Sequence, residues 1–317
     1  MTSRQPSLLT RPRDDLHRRE VPDGKASYSL TYNALQFLRR RFAQKASRIY
    51  INEGDMDRLR IKCTDLEFDP TLSLTRTGAL LELMSAQEME RLAQAHTFPE
   101  AFRHNLDRPI SNTDDFHAAD SLVGLFVQCL YNVEKASPFL PPVPPCDGWD
   151  PELDEDDSLP MLHEKSPWEI RSPSDSENRL LQCLKPPAGP MWMVPYILYS
   201  RDGSSPHLTC FVIDGARPRE DALLFSEVWC LLAMSWFGFL EPENRKHQNI
   251  PVTVISGSCR QFRIIQGYAN GETGGIDLRK TPIVDFAEAH ADRKDQHWHE
   301  FMTFLRWMLA RPVGKTT

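Results

Sequence analysis

Residues 219–240, REDALLFSEVWCLLAMSWFGFL, are apolar nearly all round when read at helical spacing. A helix of this kind has no face for water and must be covered on most sides. Its most apolar part, Val228 to Leu240, is too short for a bilayer, which takes about 20 residues. The cover has to come from the chain itself, and 317 residues are enough to build a sizeable core around it.

The flanking runs supply strands. MWMVPYILYS (191–200) and HLTCFVID (207–214), joined by RDGSSP, read as a β-hairpin. After the helix come IPVTVIS (250–256), an expected turn at Gly257, QFRIIQGYA (261–269), the turn NGETGG and a further strand, IDLRKTPIVDF (276–286). Phe262, Ile264 and Tyr268 share one face of the middle strand. Near the end, Trp298, Phe301, Met302, Leu305, Met308 and Leu309 repeat at helical spacing, with His299, Glu300, Thr303 and Arg306 placed outward. This order predicts an α+β fold, a mixed sheet flanked by helices.

The N-terminal part reads as mainly helical. In residues 29–48, Ala34, Leu35, Leu38 and Phe42 form an apolar stripe with Phe37 off it. Arg40 falls opposite the stripe and Arg39 and Arg41 flank it, a pattern read as a solvated face rather than a phosphate site. Residues 77–95 are also read as helical, through Leu80, Leu81, Met84, Met89 and Leu92. Ser85 and Glu88 there fit a capping box that would divide the stretch in two. A third helix is expected over 117–133, and a strand within RLRIKCTDLEF (58–68).

Residues 137–178 carry eleven Asp/Glu against Lys165 and Arg171, with nine prolines. Such a composition buries too little apolar surface to offset its ordering entropy, and it is read as a disordered acidic linker and possible protein-partner segment. The formal charge of −7 is local to it: 33 acids and 35 bases remain elsewhere, so no strong basic field marks a nucleic-acid binder. The expected organisation is a disordered basic N-terminus (1–26), a helical region (27–136), the linker (137–178), an α+β core (179–312) and a tail (313–317). Whether the two folded regions form one domain or two is open, with one composite domain favoured. Seven scattered cysteines without C-x-x-C spacing suit a reducing compartment. The Arg-rich start has no apolar core and is interrupted by Asp14, Asp15 and Glu20, against a secretory signal or transit peptide. A soluble cytoplasmic or nuclear protein, away from membranes, is expected.

Short motifs carry little. VGKTT at 313–317 lacks the earlier glycine and the following helix of a phosphate loop. SGSC at 256–259 fails the G-x-S-x-G pattern. GETGG reads as a hairpin connection. His290, His297 and His299, near Asp292 and Asp295, have metal-ligand character, but they start a surface helix and are read as ordinary surface residues.

Asp214 is more informative. It ends an apolar strand just before Gly215 and Pro218, where aspartate either shapes the turn or holds a metal. The hairpin with CFVIDGA, the helix LLFSEVWCLLAMSWFG, the strand pair VTVISGSCRQFRIIQGY, and the tail elements LRKTPIVDF and FMTFLRWML together resemble the PD-(D/E)XK nuclease-like superfamily. More narrowly, residues 179–312 resemble the degenerate domains common in fungal proteins. The resemblance implies a restriction-endonuclease-like core. In active members, carboxylates hold Mg²⁺, which activates water, and a lysine stabilises developing charge.

On this chain Asp214 takes the acid position, but Ala216 stands where the lysine belongs and AGPMWMV before it has no acid. Arg217 lies one step later. Glu227 is either a second ligand or a buried structural acid. The resemblance therefore implies a catalytically degenerate intracellular binding or scaffold module without a cofactor. Its rivals are a divergent Mg²⁺-dependent nuclease using Asp214, Glu227 and Arg217, and an accessory protein or enzyme of specialised metabolism with an unrecognised pocket.

Overall fold

The computed structural model describes residues 26–44, 48–69, 80–95, 106, 115–131, 166–182, 191–201, 203, 205–286, 294–314 and 316. The N-terminal elements are α1 (Ala26–Ala43), β1 (Tyr50–Ile51), α2 (Glu53–Leu59), β2 (Ile61–Asp65), β3 (Leu81–Glu82), α3 (Ala86–Ala95) and α4 (Asp115–Tyr131). Next come β4 (Trp168–Arg171), α5 (Asp175–Gln182), β5 (Trp192–Met193), β6 (Ile197–Ser200), β7 (Leu208–Asp214), β8 (Leu223–Leu224) and α6 (Phe225–Leu240). The chain closes with β9 (Val252–Ser258), β10 (Gln261–Asn270), β11 (Gly275–Lys280), β12 (Val284–Asp285), α7 (Lys294–Met308) and β13 (Arg311–Pro312).

The main sheet runs β2-β11-β10-β9-β7-β6-β4, with β12 added to β10 and β5 to β7. It is mixed: β7–β9 and β2–β11 are parallel, and the other pairs are antiparallel. Every residue of β7 is buried, as a central strand covered on both faces requires. Its alternate side chains serve two cores. Cys210 and Val212 pack with Val254, Ile265, Leu35 and the helix α6. Phe211 and Ile213 pack with Phe126 of α4 and Phe301 and Phe304 of α7. The all-round apolar helix is thus a middle element, with the sheet on one side and α1 on another through Tyr32–Trp236 and Phe42–Phe225.

The N-terminal region is part of this body. Its strand β2 extends the sheet in parallel beside β11, with Ile61 opposite Ile276. The stripe of α1 is buried as the spacing predicts, and Phe37 is 40% exposed.

Several expectations are corrected. The acidic stretch does not stay linker to residue 178: β4 pairs with β6, and Glu177 lies in α5. Trp168 anchors β4, fully buried, its indole N–H donating to the Ala310 carbonyl at 2.9 Å. Residues 1–25 and 137–165 lie outside the described residues.

Of the expected helix 77–95, residues 77–79 lie outside the described residues, and within 80–95 only the part after Ser85 is helix, where the Ser85 hydroxyl accepts from the Glu88 N–H at 3.1 Å. Ahead of it, Leu81–Glu82 pairs with β13. Residues 219–224 precede α6 as a turn and the short strand β8, which pairs with β1. The expected strand 276–286 is broken after Lys280, where Pro282 has no N–H for a ladder.

No turn forms at Gly257. It is a mid-ladder residue of β9 facing Phe262, and a Cβ there would lie 2.2 Å from that ring. The turn comes later, at Cys259 with φ of 55°. Thr303 and Arg306 are buried rather than outward. Arg306 donates to the Met84 carbonyl and to Asp69, both at 2.7 Å, because the segment before α3 covers that side of α7.

Candidate functional site

β7 and β9 run parallel with Ile213 opposite Gly257, and both finish one residue later, at Asp214 and Ser258. The carboxyl ends of parallel strands are where open α/β sheets place their ligands. Here the first turn of α6 brings Ser226 and Glu227 over that edge, and β10 brings Arg263, opposite Ser256.

Asp214 is 3% exposed. Its Oδ1 accepts from the Ala216 N–H at 2.8 Å, and its Oδ2 accepts from the Ser226 hydroxyl at 2.5 Å. The first bond is an Asx-type turn, the local reason an aspartate ends this strand. Burial pushes its carboxyl up to about 6, against the two hydrogen bonds, and the nearby Glu227 charge adds to the rise.

Glu227 takes the structural alternative. Its Oε1 accepts from Arg263 Nε at 2.8 Å, and its Oε2 from Arg263 Nη2 at 2.5 Å. The same Oε2 accepts the Leu224 N–H at 2.7 Å, so a residue in the first helical turn caps the helix entry. Arg263 also donates to the carbonyls of Arg219 and Ala222 at 2.8 and 3.0 Å. One guanidinium therefore closes the turn before α6 and neutralises the acid inside it.

Arg217 is directed elsewhere. It is exposed and donates through Nε and Nη2 to Asp115 at 2.8 and 3.1 Å. Asp115 is the first residue of α4, which packs on the face of the sheet opposite α6. The pairing raises the pKa of Arg217 and lowers that of Asp115. The three residues singled out in the sequence thus point three ways: Asp214 into its turn, Glu227 to Arg263, and Arg217 to Asp115.

The set does not fit a resident Mg²⁺, which takes near-octahedral oxygen ligands. Asp214 has both oxygens hydrogen-bonded, Glu227 is held by a guanidinium, and Ala216 carries no charge. Among the described residues no group of three or more His, Cys, Asp or Glu is placed to hold a metal. His299 meets Asp69 at 2.8 Å, and His297 is buried beside the Phe286 ring. His290 and Asp292 lie outside the described residues.

Sequence reasoning missed Ser226, Asp115 and Arg263. Arg263 alone left a signal, a cation inside the apolar run QFRIIQGYA. Buried charge requires a partner, and the only acid inside the apolar helix is Glu227. Among the described residues no helix is long and apolar enough to cross a membrane. Comparisons of the chain with family models, curated proteins and solved structures gave no match.

Proposed function

We propose that this chain is a catalytically degenerate nuclease-like module that works by binding or scaffolding. The order α5, the β6–β7 hairpin, α6 and then β9 parallel to β7 supports the likeness to a restriction-endonuclease-like core. The observation that carries the loss of chemistry is the Glu227–Arg263 pair: Glu227, the acid whose charge acts on Asp214 among the described residues, is spent on an internal cation. With no charge at Ala216 and Arg217 drawn to Asp115, neither a metal pair nor a cation beside a nucleophile is assembled.

Titration with Mn²⁺ followed by electron paramagnetic resonance tests the reading. Wild type and Asp214→Ala are expected to leave the Mn²⁺ signal equally unperturbed. Binding in the micromolar range that Asp214→Ala abolishes would overturn it.

A further inference from the structure

Seven described arginines, Arg48, Arg171, Arg217, Arg219, Arg263, Arg306 and Arg311, meet a carboxylate. Those at the α1–α2 corner do not. α1 contains no acid over its 18 residues, and its last turn meets the end of α2, where Arg41 Nη1 donates to the Arg58 carbonyl at 2.6 Å. Arg41 lies over the Phe37 ring at 4.6 Å and Arg39 over Trp236 at 5.8 Å. Arg60 donates to the Thr273 carbonyl at 3.3 Å. Among the described residues none of Arg39, Arg40, Arg41, Arg58 and Arg60 is ion-paired. Among the described residues the exposed acids of α2 are Glu53 and Asp57, and Glu272 precedes the Thr273 that Arg60 meets, so five arginines face three exposed acids in a chain that is acidic overall.

We propose that the outer face of α1, with the end of α2, binds single-stranded nucleic acid. This goes beyond the degenerate-module reading and does not depend on the edge at Asp214. The residue types favour a nucleic-acid strand over an acidic peptide. The cations are arginines, whose planar forks match phosphate and whose faces stack. Between them stands an aromatic ring, Phe37, that is 40% exposed. Phosphates on Arg40, Arg41 and Arg58 with a base against Phe37 is the combination that single-strand binders use. The sequence alone reads Arg39–Arg41 as a solvated face because Arg58 and Arg60 join them only in the fold.

Fluorescence anisotropy with labelled oligo-dT and oligo-U tests this on the full chain at low salt. Wild type is expected to bind, with a negative dependence of log K on log salt. Arg40→Glu/Arg41→Glu/Arg58→Glu is expected to abolish binding, and Arg40→Glu alone, at an exposed position, to lower the salt slope by about 0.7. Phe37→Ala should weaken binding on the order of tenfold through lost stacking. Circular dichroism checks that each variant folds. No binding by wild type, or unchanged binding by the triple variant, would overturn the proposal. So would equal competition by poly-glutamate or anionic vesicles with Phe37→Ala neutral, which would assign the face to an acidic peptide or a lipid surface.

Discussion

Glu227 and Arg263, 36 positions apart in the chain, meet at 2.5 Å with both side chains fully buried. The pair joins the start of the covered helix α6 to the sheet and, through the Arg219 and Ala222 carbonyls, fixes the turn between β7 and α6. It sets how the site edge is held, and it commits the Glu227 carboxylate to Arg263 and the Leu224 N–H.

Removing one partner leaves the other charge buried and alone, which costs about 3–5 kcal/mol. Glu227→Leu and Arg263→Met should each lose stability of that order in urea unfolding. The double variant should lose clearly less than the sum, because an apolar pair can replace a buried ion pair at little net cost.

Asp214 and His207 predict opposing pH effects. The Asp214 carboxyl is raised in the fold, so its stabilising contribution is complete below the unfolded value near 3.8 and is lost as pH rises through about 6. Asp214→Asn, which keeps an acceptor for Ala216 N–H, should remove that loss and raise stability above pH 6 by roughly 3 kcal/mol at most. Burial lowers the His207 imidazole to about 4, with the nearby His247 adding to this against the carbonyls of Val313 and Leu80. Its contribution is present above 6.5 and is lost as pH falls towards 4. Between pH 4 and 6 the two partly cancel, so urea midpoints of Asp214→Asn should fall with acid more steeply than those of wild type.

Much of this arrangement was legible in the sequence where apolar spacing dictates it. The stripe of α1, the hairpin, the covered helix and the turn at Asp214 all follow from local pattern. What escaped was set by contacts distant in sequence. Residues 168–171 form an edge strand because Trp168 finds the Ala310 carbonyl, yet they sit in a stretch whose acids and prolines read as linker. Arg306 reads as a surface cation at helical spacing and is buried only because Asp69 and Met84 come over it. Arg217 finds Asp115 across 102 residues, a separation that no local rule spans.

Gly257 is required by the closeness of Phe262. Gly257→Ala should destabilise by about 1–3 kcal/mol, the usual cost of overpacking. Phe262→Leu should relieve part of that cost when combined with it, measured as non-additive shifts in the urea midpoint.

The two halves flanking residues 137–165 share one sheet through β2 and β11 and one core through α1 and α6. A protease site inserted near residue 150 should therefore yield two fragments that co-elute in size-exclusion chromatography until denaturant is added. Separation in native buffer would mean that the halves fold as independent domains.

The central claim, a nuclease-like module without its chemistry, is tested most directly by cleavage. Purified protein is incubated with single- and double-stranded DNA and RNA in Mg²⁺ or Mn²⁺, beside Asp214→Ala. The account predicts intact nucleic acid under every condition, for both proteins. Metal-dependent cleavage by wild type that Asp214→Ala abolishes would contradict it and make the end of β7 a working metal site.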